Sequence, residues 1–309
     1  MIDTVTLNPA LDKTIQIECF AVSKVNRIQS TRTDPGGKGI NVSRALEVFH
    51  QKCVTMGILG GHTGDLIADR LRVDGFLCDF TWSDAETRTN IKIVDSLLGV
   101  TTDINDIGSP VGEETLLCAK QKLLQRLGVG DIVVLSGSMP AGTPSQTYRD
   151  WILECRSLGA EVFLDATGEA LALAIGAAPF CVKPNRDELQ ALVGYHLDTP
   201  QEVAQAGWQL LNKGISQVVV SLGSEGALLL TKKKVLVASI PPIPAMSTVG
   251  AGDTMVAALV YAKIEGLSEQ DSLAMAVAAS GAKVMRAGTE PPAMADIQAL
   301  LPHIIVEEL

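Results

Sequence analysis

The sequence predicts an α/β fold of three layers, helices on both sides of a mostly parallel central sheet, with a small β-sheet lid. Three observations predict it. Short apolar runs such as Asp131–Ser136 (DIVVLS), Glu161–Asp165 (EVFLD) and Gln217–Ser221 (QVVVS) follow longer segments with helical spacing, Glu113–Leu127, Ser145–Leu158 and Gln201–Asn212. Runs apolar on both faces are buried on both faces, as in a parallel sheet covered by crossover helices. By contrast, Thr14–Thr33 and Glu86–Asp106 alternate polar and apolar residues (TIQIE, TNIKIVD) with no intervening helix, the pattern of a one-sided antiparallel sheet. Finally, 309 residues, 47% of them hydrophobic, can bury one large core, and no repeat, low-complexity stretch or flexible linker divides them.

The remaining elements follow the same rhythm. Ile2–Leu7 reads as a strand and Ile40–Phe49 as a helix behind a glycine-rich turn. Val54–Leu59 is the next strand and Asp65–Val73 the next helix. In the last third, Glu225–Leu230 and Lys234–Ser239 form a hairpin, after which three helices run to the C-terminus. The chain is expected to be one domain over 1–309, its lid formed by insertions at about 12–34 and 86–108. So small a sheet cannot bury its apolar face alone. It is expected to cover a ligand, the main domain or a second subunit.

Composition excludes several functions. Lys and Arg total 25 against 35 Asp and Glu, a net charge of −10, so a nucleic-acid or anionic-membrane partner is not expected. Any phosphate must be held locally, by a few cations and backbone N–H groups. Aromatic residues, at 4%, are too few for base-stacking platforms. The six cysteines are scattered without a CxxC pair and the four histidines form no HExxH, which argues against a disulfide framework or a zinc site. The longest apolar stretch, Ala170–Val182, is broken by Pro179, and no cationic segment precedes an apolar one at Met1. A cytoplasmic protein is expected.

Five motifs carry chemistry. The sharpest is Ser247–Thr254 (STVGAGDT), which runs into the apolar segment Met255–Ile264. Gly250, Ala251 and Gly252 leave backbone N–H groups unobstructed where a helix begins, a natural seat for an anion, with Asp253 beside it. Met255 occupies the third glycine's place of GxGxxG and no GxxxxGK[ST] occurs, so neither a dinucleotide fingerprint nor a Walker loop is present. The plainer alternative is a glycine turn with Asp253 as helix cap.

In Pro35–Val42 (PGGKGINV), the glycines admit a close ligand, Lys38 adds a point charge and Asn41 starts a helix. Asp12, leaving the end of the first strand in NPALD, can accept hydrogen bonds from sugar hydroxyls or simply stabilise a turn. Asn185 and Glu188 in KPNRDE are spaced as a capping box, and equally as a pair that orients waters around Mg²⁺. Ser221–Gly226 (SLGSEG) is a glycine turn that could run along a nucleotide or simply close a hairpin. Within the lid, Arg88 and Asn90 share one face of a strand and Arg27 lies in the other insertion. Arginines over a glycine-rich crevice suit phosphate recognition, isolated surface cations being the alternative.

The order and spacing of these motifs resemble the ribokinase-like (phosphofructokinase-B) carbohydrate kinases over essentially the whole chain. The VGAGD run is highly specific to that family. TLNPALDKT, GGKGIN, TRTN, TDIN (Thr102–Asn105), SGSMPAG and VKPN resemble its sugar-phosphate branch. The resemblance implies the ribokinase-like fold, ATP and Mg²⁺ as cofactors, and a ketohexose phosphate as acceptor. Fructose 1-phosphate comes first, with tagatose 6-phosphate and fructose 6-phosphate as alternatives. A catalytically idle sugar-phosphate-binding regulator is a further alternative, disfavoured by the retained Asp253, Asn185 and Glu188.

Carried over by position, the resemblance implies Asp253 as catalytic base and Gly250, Ala251 and Gly252 as anion hole. It implies Asp12, Gly37, Lys38 and Asn41 as sugar contacts, with Arg88, Ser138 and Arg27 toward the sugar phosphate. Nucleotide contacts fall on Lys183, Asn185, Ser221, Gly223, Gly226, Ser247 and Val249, and magnesium, through water, on Asn185 and Glu188. The sequence departs from the family pattern in TDIND, where relatives carry Glu, and at Lys283 and Arg286 near the expected adenine pocket. No adenine contact is assigned there. A homodimer through the lids is expected from their one-sided apolar pattern.

Overall fold

The computed structural model describes every residue from Met1 to Leu309. The first half comprises β1 (Ile2–Thr6), β2 (Ala10–Ile17), β3 (Ile28–Gly36), α1 (Lys38–Val48), β4 (Val54–Gly60), α2 (Gly61–Val73), β5 (Leu77–Ser83), β6 (Arg88–Asp95), β7 (Val100–Ile104) and α3 (Glu113–Arg126). Next come β8 (Ile132–Ser136), α4 (Thr147–Ser157), β9 (Glu161–Asp165), α5 (Gly168–Ala174), β10 (Cys181–Val182), α6 (Arg186–Val193) and α7 (Pro200–Leu211). The chain finishes with β11 (Gln217–Ser221), β12 (Ala227–Leu230), β13 (Val235–Ser239), α8 (Ala251–Ile264), α9 (Glu269–Val284), α10 (Met294–Leu300) and β14 (Ile305–Glu308).

The main sheet has ten strands in the order β14-β13-β12-β11-β10-β9-β8-β1-β4-β5. It is parallel from β11 to β5 and antiparallel from β11 to β14. Strand side chains alternate between two cores. Val133 and Leu135 pack with α3, α4 and α7 residues on one face, whereas Ile132 and Val134 pack with α1, α8 and α9 on the other. Double-sided burial explains why these strands read as continuous apolar runs. Helix α8 is buried almost all round, from Asp253 to Val260, because it lies between the sheet and α1 and α9. No helix is long and apolar enough to cross a membrane.

The second sheet has the order β3-β2-β6-β7. The expected all-antiparallel pairing is corrected here: β2 and β6 pair in parallel, Asp12 opposite Asn90, flanked by antiparallel β3 and β7. Both central strands leave the carboxyl edge of the parallel sheet, β2 after β1 and β6 after β5, and so run in one direction. Leu11, Ile15, Ile91 and Ile93 fall on one face of this sheet, and Asp12, Arg88 and Asn90 on the other, as the period of two requires.

Other differences are local. The hairpin is β12–β13, since Gly223–Glu225 forms a 3₁₀ turn before it. After α10 the chain does not end in helix, because Ile305–Glu308 adds β14 to the sheet edge. Helix α2 starts at Gly61, ahead of the expected Asp65, since its first turn (GHTG) carries no apolar signal.

Candidate active site

The carboxyl ends of the parallel strands open onto a crevice of about 510 Å³ beneath the small sheet. In open α/β sheets this is where ligands bind. Thr6, Lys38, Asn41, Arg88, Asn90, Ser138, Asp165, Lys183, Asn185, Glu188, Ser221, Val249, Gly250, Gly252 and Asp253 are among its lining residues. A second cavity of about 410 Å³ adjoins it, sharing Ser221 and Gly252. Its walls include Gly223, Gly226, Ile240, Ile243, Ala251, Met255 and Val277, an apolar slot beside a polar one.

The helix α8 forms because a strongly apolar run follows two glycines. Gly250 opens it at φ +79°, a left-handed conformation that side-chain-bearing residues rarely adopt. A Cβ on Gly252 would lie 3.2 Å from Lys183 Nζ, so glycine there lets that ammonium come close to the start of the helix. Asp253 sits in the first turn, 5% exposed, where the helix dipole favours negative charge. Its Oδ2 accepts a hydrogen bond of 2.8 Å from Asn41 Nδ2. Burial and the neighbouring Asp165 charge raise its carboxyl to about 6, against the pull of Lys38, Asn41 and Lys183.

The second turn is packed as tightly. Gly37 has φ +122°, and a Cβ there would lie 2.7 Å from Thr6 Cγ2. Thr6 Oγ1 accepts from the Ile40 N–H at 3.1 Å, which fixes the start of α1 over β1 and aims Asn41 at Asp253. Lys38 Nζ donates to Asp165 Oδ1 at 3.0 Å, and Lys183 Nζ lies 3.6 Å from the same oxygen. Burial disfavours ionised Asp165, but Lys183 and Lys38 outweigh it and hold the carboxyl below the usual range. Burial likewise opposes the Lys38 charge, yet Asp165 and Asp253 keep that ammonium above its ordinary value.

Asp165 is the crevice residue that sequence reasoning missed. It ends the apolar strand β9 and is 1% exposed. A lone acidic residue closing a both-faces-apolar strand at the carboxyl edge was the available signal.

Asn185 and Glu188 form a complete capping box on α6: Asn185 Oδ1 accepts from the Glu188 N–H at 2.7 Å, and Glu188 Oε2 from the Asn185 N–H at 2.8 Å. Both still line the crevice. Asp12 Oδ1 accepts from Asn90 Nδ2 at 2.9 Å, beside the crevice lining. Arg88 donates to the Asn8 carbonyl through Nη2 at 2.9 Å and Nε at 3.3 Å, and to the Asp106 carbonyl through Nη1. The guanidinium thus ties the small sheet to the exit of β1. Ser138 Oγ accepts from Asn8 Nδ2 at 3.3 Å.

Three assigned residues line neither cavity: Asp12, which reaches the crevice only through its bond to Asn90, Arg27 and Ser247. Arg27 is exposed in the β2–β3 connection and does not line the crevice, because the hairpin carries it to the distal end of the small sheet. Ser247 lines neither cavity: its N–H donates to the Val284 carbonyl at 3.1 Å and its Oγ caps the Val249 N–H at 3.4 Å, while Thr248 faces the slot. Arg286 is paired with Asp296 and lies outside both cavities.

The donor set fits magnesium that arrives with phosphate and keeps its water. Asp165 Oδ2 is buried without a hydrogen-bond partner, and Glu188 commits Oε2 to the cap. Hard carboxylate oxygens of this kind suit Mg²⁺. No cluster of three or more His, Cys, Asp or Glu forms a protein cage for a metal.

The sequence pattern of the pfkB family carbohydrate kinases matches residues 5–296. The chain is 36% identical over 311 residues to 1-phosphofructokinase of Bacillus subtilis (strain 168), covering 100% of both. It is 38% identical over 310 residues to 1-phosphofructokinase of Rhodobacter capsulatus, covering 100% of this chain and 98% of the relative. Among solved structures, phosphofructokinase-2 from Escherichia coli in complex with substrates and products superposes with a TM-score of 0.93 at 30% identity, over 97% of this chain and 98% of that one. With a ribokinase-like sheet, a glycine-opened helix presenting a buried aspartate, and a match along nearly its whole length, this chain belongs to the pfkB family of carbohydrate kinases.

Proposed function

We propose that the protein transfers the γ-phosphoryl group of ATP to a ketohexose phosphate, with fructose 1-phosphate as first acceptor and fructose 1,6-bisphosphate as product. The observation that carries this reading is Asp253 in the polar crevice, next in sequence to Gly252, which lines both cavities at the α8 amino end. The apolar slot suits an adenine ring and the polar crevice a phosphorylated sugar. The curated relatives named 1-phosphofructokinase support the choice of acceptor.

In the reaction, Asp253 accepts the proton of the attacking hydroxyl while Asn41 holds its carboxylate in place. The Gly250–Asp253 N–H groups stabilise charge on the transferring phosphoryl oxygens, where alignment and electrostatics dominate catalysis. Lys38 and Lys183, anchored by Asp165, add fixed positive charge. Asp165 and Glu188, with Asn185 beside them, would hold magnesium through water when it arrives with ATP, and it would there neutralise charge on the triphosphate. Gly223 and Gly226 let the backbone run against the nucleotide, with Ser221 at the junction and Val249 on the crevice side. Asp12, Gly37 and Asn90 bound the sugar subsite, over which the small sheet acts as a lid that excludes water.

The acceptor is tested by ADP release with fructose 1-phosphate, fructose 6-phosphate, tagatose 6-phosphate and unphosphorylated fructose. The highest kcat/KM is expected with fructose 1-phosphate; a preference for the unphosphorylated sugar would contradict the reading. Arg88→Ala is expected to raise KM for the sugar phosphate by about tenfold or more with kcat little changed, since a phosphate contact is equal in ground and transition states. A collapse of kcat at constant KM would assign Arg88 a different role.

We also propose a homodimer through the lids, in the cytoplasm, where the six free cysteines stay reduced. On the lid's apolar side, Ile28, Val100 and Ile104 are 53%, 52% and 52% exposed, an apolar face left in contact with water at a cost. Light scattering at micromolar concentration is expected to return twice the chain mass, and Ile104→Lys to return the monomer. A monomeric parent protein would contradict the interface.

A further inference from the structure

A lysine lies buried behind the anion hole. Lys283, in the last turn of α9, is 1% exposed and has no carboxylate ion-pair partner within 4.0 Å. Its Nζ donates to the Gly288 carbonyl at 2.8 Å. Its Cε lies 3.3 Å from where a Cβ on Gly250 would sit, so the side chain packs against the residue that opens α8. The same turn grips the approach to the anion hole, because the Met246 and Ser247 N–H groups both donate to the Val284 carbonyl, at 2.9 and 3.1 Å.

Lysine is almost never fully buried without a partner, because an unpaired charge in the interior is costly. Burial indeed lowers this ammonium to about 8, while Glu290 and Asp253 draw it back up and Arg32 opposes it. A hydrophobic residue would fill the space without that cost. The position of the charge therefore asks for a use, and the turn it packs against is the one at Gly250 that opens α8.

We propose that Lys283 is a built-in monovalent cation for the phosphoryl seat: its ammonium, fixed by the Gly288 carbonyl, holds the Gly250 turn and supplies positive potential behind it. A positive charge next to main-chain carbonyls and an anion hole is a function that a dissolved alkali ion could also perform. Supplied by the chain, it needs no ion to bind first, and the site is preorganised. Lys283 is thus a positioning residue, acting through Gly250 rather than touching substrate. The inference rests on the Gly250–Asp253 turn being the phosphoryl seat.

The test uses the purified full-length protein in tetramethylammonium buffers, with product bisphosphate measured directly by chromatography. Replacing tetramethylammonium by K⁺ at constant ionic strength is expected to change wild-type kcat by less than about twofold. Lys283→Met keeps the stem without the charge and is expected to lower kcat about tenfold with KM for the sugar phosphate unchanged. Lys283→Ala opens space beside the Gly288 carbonyl; K⁺ or NH₄⁺, but not tetramethylammonium, is expected to restore much of the lost rate. Purely structural roles for Lys283 would not produce rescue by ion identity. Strong K⁺ activation of the wild type, normal kcat in Lys283→Met, or a folded Lys283→Ala that no cation rescues would each overturn the proposal. Should the alanine variant fail to fold, the wild-type titration and the methionine variant still decide. Failure of the underlying reading is separate: it would appear as a wild type without kinase activity, or as full turnover in Asp253→Asn.

Discussion

Asp253→Asn is expected to lower kcat by about 10²- to 10⁴-fold, the usual worth of a positioned general base. The amide is nearly isosteric and its oxygen still accepts from Asn41 Nδ2, which now bonds Asp253 Oδ2 at 2.8 Å. ATP binding should therefore persist. Stability should move the other way. The folded carboxyl, raised to about 6 by burial and by Asp165, holds its proton more tightly than the unfolded chain, whose value is 3.8. Such a group contributes its stabilisation below the unfolded value and loses it as pH rises through about 6. At neutral pH it costs stability, and the neutral amide removes that cost. The variant is expected to unfold at a denaturant concentration no lower than the parent's. Near-normal turnover would refute the assignment of the base.

Asp165→Asn is expected to damage both turnover and stability, which distinguishes its role from that of Asp253. Asp165 is the common anchor of Lys38, at 3.0 Å, and Lys183, at 3.6 Å. Removing one partner of a buried charge cluster leaves like charges unpaired, at a cost of about 3 kcal/mol. Lys38 is 34% exposed along its side chain and can reach water, so most of the cost falls on Lys183, which is 6% exposed. With the ammonium groups free to separate, kcat is expected to fall at least about 100-fold, as for lost phosphoryl-charge stabilisation. Denaturant midpoints read alongside kinetics check both effects. An Asp165→Asn enzyme as stable as the parent would show that the lysines are anchored elsewhere.

Much of this site was legible because its parts are local. The glycines of 250–252 with Asp253, and those of 36–39 with Lys38 and Asn41, each sit within one turn whose geometry the sequence constrains. Strands β8, β9 and β11 were legible because double-sided burial leaves unbroken apolar runs. What depends on distant residues was not. Asp165 has meaning only beside Lys38, 127 positions away. The parallel pairing of β2 with β6 was hidden because a period of two gives the face of a strand and not its direction. Strand β14 carries exposed glutamates at a sheet edge and no apolar alternation. Arg27 shares an insertion with Asp12, yet the hairpin between them separates tip from base. At Asn185 and Glu188 the capping box and the crevice coincide, which spacing alone left open.

The pH dependence of kcat/KM for fructose 1-phosphate, compared between the parent and Asp253→Asn, tests the central claim most directly. It reports ionisations of free enzyme and free substrate, and the substrate phosphate, which titrates near about 6, is common to both. With Asp253 required as its carboxylate, activity is predicted to fall below an apparent value of about 6, the direction of a base that must be deprotonated. The residual activity of Asp253→Asn is predicted to lose the enzyme's part of that acid limb and to keep only the shallower limb of the substrate phosphate. An unchanged limb in the variant, or a wild-type rate flat through this range, would contradict the account.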